Sequence, residues 1–211
     1  VLKYRSGEDS GFVPDIQEVA AVIKNSLPAG IFICNPNNPT GKYLSRQEIE
    51  AVLKVSGDAM VVLDEAYIDF VAGKWDSNRL ITGENVLILR SMTKNYGLAG
   101  LRLGYCLAHR EIIDVLGHIC WPWSVSTIAQ KVGVAVLGED EYLTKSLQQT
   151  HEARLFLVDE LRRLGFNVLP SDTHYFLVKV GSARDFRKSL LQRGLLVRDC
   201  ASFGMPEYVR I

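Results

Sequence analysis

Apolar and polar residues in the first half of the chain follow two alternating patterns. Residues 14–26 place apolar side chains at the i, i+3, i+4 and i+7 spacing of an amphipathic helix, with a proline near its first turn. A capping-box motif, SRQE, opens a second helix at about 45–55. Continuous apolar runs, which are typical of buried strands, occupy residues 29–34, 59–67 and 85–90. This alternation predicts an α/β fold whose mixed, mostly parallel sheet is flanked by helices.

The pattern changes in the second half of the chain. After a strand-like run at 103–109, helical patterns dominate residues 110–164 and end at Gly165, a natural stop for a helix. The remaining residues follow a strand, strand, helix, strand, strand order, which is typical of a small α+β domain. We therefore divide the chain into a large domain, residues 1–140, and a small C-terminal domain, residues 141–211.

Both domains are expected to be partial. The sequence begins at Val1 without an initiator methionine, and it stops at YVRI, inside a strand-like run that has no turn or cap. These ends indicate a piece of a longer protein. The large domain is then incomplete at its N-terminus.

Composition narrows the possible functions. The 211 residues contain 24 acidic and 24 basic side chains, so there is no excess of positive charge of the kind that binds nucleic acid. No apolar run approaches the roughly 18 to 20 residues that span a membrane, and no signal-peptide pattern opens the chain. Four dispersed cysteines without a CxxC pair fit reduced thiols better than a metal site. We expect a cytoplasmic protein without a bound metal.

Polar side chains follow three successive predicted strands of the large domain. Asn38 lies in NPNNPTG after the first strand, Asp64 and Tyr67 lie in DEAY after the second, and SMTK, with Ser91, Thr93 and Lys94, follows the third. Ligands of open α/β sheets bind outside the carboxyl ends of the strands, so these groups are expected to share one site. Singly, each has a structural interpretation, such as a helix cap or a hydrogen-bonded turn.

The residue types at these strand ends match the functional groups of one cofactor. A partly desolvated lysine suits Schiff-base formation with an aldehyde, and a carboxylate suits a protonated ring nitrogen. Two hydroxyls with the later Arg102 suit a phosphate. An aldehyde, a ring nitrogen and a phosphate together describe pyridoxal phosphate.

The motifs NPNNPTG, DEAY and SMTKNYGLAGLRLGY, in this order and spacing, resemble the fold-type I pyridoxal-phosphate enzymes of the class I/II aminotransferase family. Within that family, the sequence is most similar to the branch of histidinol-phosphate aminotransferases and threonine-phosphate decarboxylases. The resemblance implies an active site at a homodimer interface. It also implies that the Gly/Ser phosphate loop and the aromatic residue that stacks on the ring precede Val1.

The resemblance also implies a role for each site residue. Lys94 would form the Schiff base and move the proton, and Asp64 would pair with the pyridinium nitrogen. Asn38 and Tyr67 would contact the phenolic oxygen of the cofactor, and Asn38 the substrate as well. The implied phosphate ligands are Ser91, Thr93 and Arg102. Arg210, in YVRI, would bind the α-carboxylate of the substrate.

Two functional alternatives stay open beside an aminotransferase that acts on an amino acid or a phosphorylated amino compound. The segment RDCASFG and the sequence THYFLV at 173–178 are closer to threonine-phosphate decarboxylases than to most aminotransferases of this branch. The third alternative is an inactive fragment or a regulatory module that binds pyridoxal phosphate. The motifs define the cofactor but not the bond that is broken, because that choice depends on how the substrate is oriented.

Overall fold

The computed structural model describes residues 1–83 and 85–211, which form two four-stranded sheets with helices around them. The helices are α1 (Ile16–Ser26), α2 (Arg46–Val55), α3 (Arg110–Ile119), α4 (Thr127–Val136), α5 (Asp140–Arg163) and α6 (Ala183–Leu191). The strands are β1 (Gly30–Cys34), β2 (Met60–Asp64), β3 (Val86–Ser91), β4 (Gly104–Ala108), β5 (Asn167–Val168), β6 (Leu177–Lys179), β7 (Arg198–Asp199) and β8 (Tyr208–Arg210).

The first sheet has the order β1-β2-β3-β4. Strands β1, β2 and β3 are parallel, and β4 pairs with β3 antiparallel. The predicted mixed, mostly parallel sheet is therefore confirmed. The pairing of Cys34 with Asp64, and of Asp64 with Leu89, aligns the carboxyl ends of the three parallel strands at one edge. This alignment brings the loops that carry the predicted site residues together.

Local sequence signals account for the first two helices. Asp15 caps α1 by accepting hydrogen bonds from the backbone N–H groups of Gln17 and Glu18. The predicted capping box of α2 is present, since the Ser45 side chain and the Glu48 side chain each accept a bond from the other's backbone N–H. Both helices begin within two residues of the positions that the sequence predicts.

Two predicted elements differ from the structure. The strand expected over 59–67 ends at Asp64, because the chain turns there and Ala66 donates its N–H to the Asp64 side chain at 3.0 Å. The helical region expected over 110–164 is three separate helices, α3, α4 and α5. The break between α3 and α4 contains Pro122, which cannot continue a helix. Gly165, with φ of 86°, ends α5 as expected.

The second sheet, of order β5-β6-β8-β7, is antiparallel throughout and has a core of its own. Phe176, Val178 and Val209 are fully buried there and pack with side chains from α5 and α6. The N-terminal segment also packs on this sheet, where the Phe12 and Tyr208 rings are 5.6 Å apart in an edge-to-face arrangement. The predicted strand, strand, helix, strand, strand order of the small domain is confirmed.

No helix among residues 1–83 and 85–211 combines the length and the apolar character needed to cross a membrane.

A buried ion pair connects β3 to the turn after β2. The Arg90 Nε donates to the Glu65 carboxylate at 2.6 Å, and the Ser77 hydroxyl donates to the same oxygen at 2.9 Å. The Glu65 side chain is fully buried and that of Arg90 is 16% exposed. Burial raises the pKa of Glu65, and the charge of Arg90 acts in the opposite direction. The partner of Glu65 is therefore essential to the stability of this region.

We expect Arg90→Met to lower the free energy of unfolding by about 3 to 5 kcal/mol, because it leaves the Glu65 carboxylate buried without a cation. Urea denaturation measures this loss. Arg79→Met removes an ion pair whose arginine is 72% exposed, and it should cost at most about 1 kcal/mol. Equal losses in the two variants would contradict a special contribution from the buried pair.

Candidate active site

The candidate site lies at the carboxyl edge of the first sheet, where the second sheet meets it. Lys94 follows β3, and its Nζ is 5.8 Å from the centroid of the Tyr67 ring. Asp64 is the last residue of β2, and one of its carboxylate oxygens accepts the N–H of Ala66. Because β2 and β3 are parallel neighbours, these three residues approach one another from two adjacent loops.

Lys94 is exposed, which differs from the partly desolvated lysine that the sequence suggests. Lys94 lies three residues beyond the end of β3, in the turn that follows it. In the part of the chain that the structure describes, no carboxylate lies within ion-pair distance of Lys94. Its amine is therefore free to meet a ligand.

The hydroxyls of Ser91 and Thr93 form a pair after β3. Their oxygens are 2.7 Å apart, and the N–H of Thr93 donates to the Ser91 hydroxyl at 3.3 Å. The antiparallel pairing of β4 with β3 places Gly104, the first residue of β4, beside Ser91. Arg102 comes two residues before Gly104, at the same edge of the sheet. Arg102 is exposed and has a left-handed backbone with φ of 55°. These residues provide hydroxyl and guanidinium groups at one end of the site.

Two of the three asparagines in the NPNNPTG loop after β1, Asn35 and Asn38, have different surroundings. Asn35 is fully buried, and its side chain exchanges two hydrogen bonds with the backbone of Leu44, which fixes the loop to the start of α2. Asn38 is half-buried and its side-chain oxygen accepts a hydrogen bond from the Arg210 guanidinium. The first asparagine therefore supports the loop, and the second faces the site.

Arg210 comes from β8, in the second sheet, so the candidate site spans both sheets. Its guanidinium carbon is 5.2 Å from the centroid of the Tyr175 ring. The Tyr175 hydroxyl donates to the backbone oxygen of Asn37 at 3.0 Å, and its ring is 4.9 Å from that of Tyr67. Contacts from the second sheet thus hold Arg210 beside the loops of the first. All eight predicted site residues lie on the loops and strand ends that converge here.

Sequence reasoning missed the residues that connect the two sheets. Tyr175 and His174 come from THYF, which the sequence marks only as a departure from related aminotransferases. Asp172, just before them, accepts the N–H of Tyr43 at 3.0 Å. The sequence does show polar and aromatic residues directly before a buried strand. The residues that they contact, however, are more than a hundred positions away in the chain.

Gly41 makes a backbone contact between the loop after β1 and the segment before β6. It has φ of 70°, and its carbonyl accepts the N–H of Asp172 at 2.9 Å. A Cβ atom at this position would lie 2.9 Å from the Ser171 Cβ, closer than real side chains allow. The glycine is therefore required both by the backbone conformation and by the contact.

We expect Gly41→Ala to destabilise the protein by about 1 to 3 kcal/mol beyond the backbone strain alone, because the added methyl must displace Ser171. Gly57→Ala is the matched control, since Gly57 has φ of 56° and open space around its Cα. Thermal denaturation of both variants separates the two effects. Equal losses of stability would mean that the contact between Gly41 and Ser171 contributes nothing.

A family model described as aminotransferase class I and II matches residues 1–211. The chain belongs to the class I and II aminotransferase family. Enzymes of this family use pyridoxal phosphate, whose chemistry requires a lysine and an acidic partner for the ring nitrogen. The predicted family is confirmed, and with it the fold.

Among its relatives, histidinol-phosphate aminotransferase 1 of Cupriavidus pinatubonensis is 36% identical over 205 residues, which are 93% of this chain and 54% of the relative. This class I and II aminotransferase chain thus spans about half the length of the curated relatives it matches.

Solved structures give the same family and two activities. The threonine-phosphate decarboxylase of Porphyromonas gingivalis superposes with a TM-score of 0.77 and 31% identity, covering 85% of this chain and 57% of that one. The histidinol-phosphate aminotransferase of Sinorhizobium meliloti, solved with pyridoxal 5'-phosphate, gives a TM-score of 0.86 and 25% identity, covering 93% and 56%. Both activities occur among the neighbours of this aminotransferase-family chain.

Proposed function

We propose that this chain provides the lysine-bearing part of a pyridoxal-phosphate-dependent aminotransferase that acts on an amino acid or a phosphorylated amino compound. The observation that carries the proposal is the convergence of Lys94, Asp64 and Tyr67 at one sheet edge, with Arg210 brought to it from the second sheet. An amine, a carboxylate, a phenol and a guanidinium are the groups that an aldehyde, a pyridine nitrogen, a phenolic oxygen and a substrate carboxylate require.

The side chains present fit pyridoxal phosphate group by group. Asp64 has one oxygen bonded to Ala66, which fixes the carboxylate and leaves its second oxygen for a ring nitrogen. The paired hydroxyls of Ser91 and Thr93, with Arg102, suit a phosphate dianion. When bound, the cofactor would act as an electron sink for the bonds at the substrate Cα.

The remaining roles belong to the chain's own residues. Lys94 would hold the cofactor covalently and carry a proton on Nζ to and from the reacting carbons. Tyr67 and Asn38 would hydrogen-bond the phenolic oxygen, and Arg210 would bind the substrate α-carboxylate as a bidentate pair. Asn38 already orients Arg210 through a side-chain hydrogen bond, so the carboxylate would enter a prearranged guanidinium.

Decarboxylation of threonine phosphate is the second candidate. The neighbour from Porphyromonas gingivalis favours it by sequence identity, 31% against 25% for the Sinorhizobium meliloti aminotransferase structure, whereas the latter has the higher TM-score, 0.86 against 0.77. Curated relatives named histidinol-phosphate aminotransferase reach 34 to 37% identity, which keeps aminotransfer first. A further alternative is that this chain binds the cofactor without catalysing either reaction.

Product analysis separates these functions. The full-length protein, loaded with pyridoxal phosphate, is given histidinol phosphate with 2-oxoglutarate, and separately L-threonine phosphate. Glutamate formed from the first mixture supports aminotransfer. Carbon dioxide released from threonine phosphate, with no glutamate from the first mixture, would overturn it in favour of the decarboxylase. Cofactor binding without either product would identify a binding module.

Further proposals concern the domains, the location, the assembly and the substrate class. The large and small domains are divided at residues 140 and 141, where α5 begins at Asp140 and leads from the first sheet to the second. The full-length protein is a cytoplasmic homodimer with a small-molecule amino substrate. Size-exclusion chromatography with light scattering measures the assembly.

A further inference from the structure

His174 lies where aromatic rings from the two sheets meet. Its ring centroid is 3.8 Å from that of Phe70 and 5.7 Å from that of Tyr67, both from the segment that follows β2. On the side of the second sheet, Tyr175 is 5.1 Å away. His174 is therefore part of the packing around Tyr67, although nothing in the family motifs includes it.

The imidazole is uncharged at neutral pH. Burial, together with the positive charges of Arg210, Lys94 and Arg154, lowers the pKa of His174 to about 4. The phenols of Tyr67 and Tyr175, which also contact the ring, are themselves protonated, because burial raises the pKa of both. A charged imidazolium would be opposed by these three cations, and the carboxylates that line the same cavity are those of Asp69 and Asp172.

The ring nitrogen Nδ1 is buried and has no hydrogen-bond partner among the residues that the structure describes. An unpaired buried polar atom destabilises a protein, so hydrogen bonding at Nδ1 gives no reason for a histidine here. The ring contacts remain. They place a flat group, backed by Phe70, against the Tyr67 ring.

Several side chains surround Tyr67: the Lys94 Nζ is 5.8 Å from its ring centroid, and Arg210 acts on its hydroxyl, lowering the pKa of the phenol against the effect of burial. The Tyr175 ring meets the Tyr67 ring edge to face at 4.9 Å and is fixed through the hydrogen bond to the Asn37 backbone. His174, with Phe70 behind it, packs against the Tyr67 ring from another side. Without the His174 ring, the Tyr67 ring would gain room to turn, and the direction of its hydroxyl would be less restricted.

We propose that His174 is a positioning residue that fixes the Tyr67 phenol through the shape of its ring rather than through a hydrogen bond. The inference rests on the proposed function, because it concerns the phenol that would donate to the cofactor's phenolic oxygen. A hydrogen bond donated to an anionic oxygen stabilises the anion and lowers the pKa of that group. The orientation of Tyr67 therefore sets the pH at which the long-wavelength absorbance of the bound cofactor titrates.

The test is a pH titration of that absorbance in the full-length protein loaded with pyridoxal phosphate. Tyr67→Phe should raise the apparent pKa, and His174→Ala and His174→Asn should raise it in the same direction by about 0.5 unit or more. His174→Phe keeps a ring in place and should stay within about 0.2 unit of the unsubstituted protein. It also removes the unpaired nitrogen, so its thermal stability should be equal or higher.

His151→Ala is the matched control. His151 is an exposed histidine of α5 that lines the same cavity of about 460 Å3 beside His174, and it makes no ring contact with Tyr67. The titration should be unchanged in this variant. A shift as large as that of His174→Ala would mean that any histidine near the site has the effect, and this would overturn the inference.

The outcomes are distinguishable. If His174→Asn keeps the original pKa and His174→Phe shifts it, the polar nitrogen matters and the shape argument is wrong. No shift in any His174 variant also overturns the proposal, and if His174→Ala does not fold, the Asn and Phe variants decide. An unsubstituted protein without any cofactor absorbance would instead overturn the proposed function.

Discussion

Replacing Lys94 with alanine is expected to abolish turnover of the loaded protein, with a loss of at least about 10³-fold, the scale on which enzymes depend on a positioned proton-transfer group. Lys94 follows β3 beside Tyr67 and has no acidic partner among the described residues, so the fold does not need it. The variant should therefore unfold at the same temperature as the unsubstituted protein. Initial rates with the substrate identified by product analysis measure the loss.

Lys131→Ala is the control for this variant, because Lys131 is an exposed lysine on α4, far along the chain from the site loops. Its rate should equal that of the unsubstituted protein. A Lys94→Ala variant that keeps more than about one tenth of the rate would contradict a role in proton transfer.

Asp64→Asn is expected to reduce the rate by about 10²- to 10³-fold, the effect of removing one electrostatic partner from a catalytic centre. Asparagine has nearly the same shape and can still accept the N–H of Ala66, so the turn after β2 should persist. What disappears is the negative charge that would keep a ring nitrogen protonated. The rate should fall without a comparable loss of stability.

The control for this second variant is Asp58→Asn, on the exposed turn before β2. It removes the same charge at the other end of β2, away from the carboxyl edge where the candidate site lies. If the two variants lose activity equally, or if Asp64→Asn loses none, the pairing of Asp64 with the cofactor nitrogen is wrong.

Several parts of the fold follow from the sequence because their causes are local. The capping box at Ser45 and Glu48, the apolar runs of the buried strands and Gly165 at the end of α5 each act over a few residues. The edge of the sheet at which the site forms also follows, since polar groups after successive parallel strands must meet there.

Other features depend on contacts between distant residues. The adjacent carboxylates of the DEAY motif show this most clearly. Asp64 ends β2 at the site, and Glu65 turns into the core to pair with Arg90. Nothing in the four letters distinguishes them, because the difference comes from where Arg90 and Ser77 are placed by β3 and by the segment before it.

The contacts that join the two sheets could not be predicted from the local sequence either. His174 and Tyr175 contact Tyr67, and Arg210 bonds to Asn38 across 172 positions of sequence. Only the family resemblance assigned a role to Arg210. The fit of Gly41 against Ser171 has no local signal either, because a glycine in a proline-rich loop is already explained by turn formation.

The central claim is that Lys94 binds pyridoxal phosphate covalently. The full-length protein can be incubated with pyridoxal phosphate, reduced with borohydride, digested and examined by peptide mass spectrometry. We expect the added phosphopyridoxyl mass on the peptide that contains Lys94, and its disappearance in Lys94→Ala. Labelling of another lysine in the unsubstituted protein, or no labelling at all, would contradict the account.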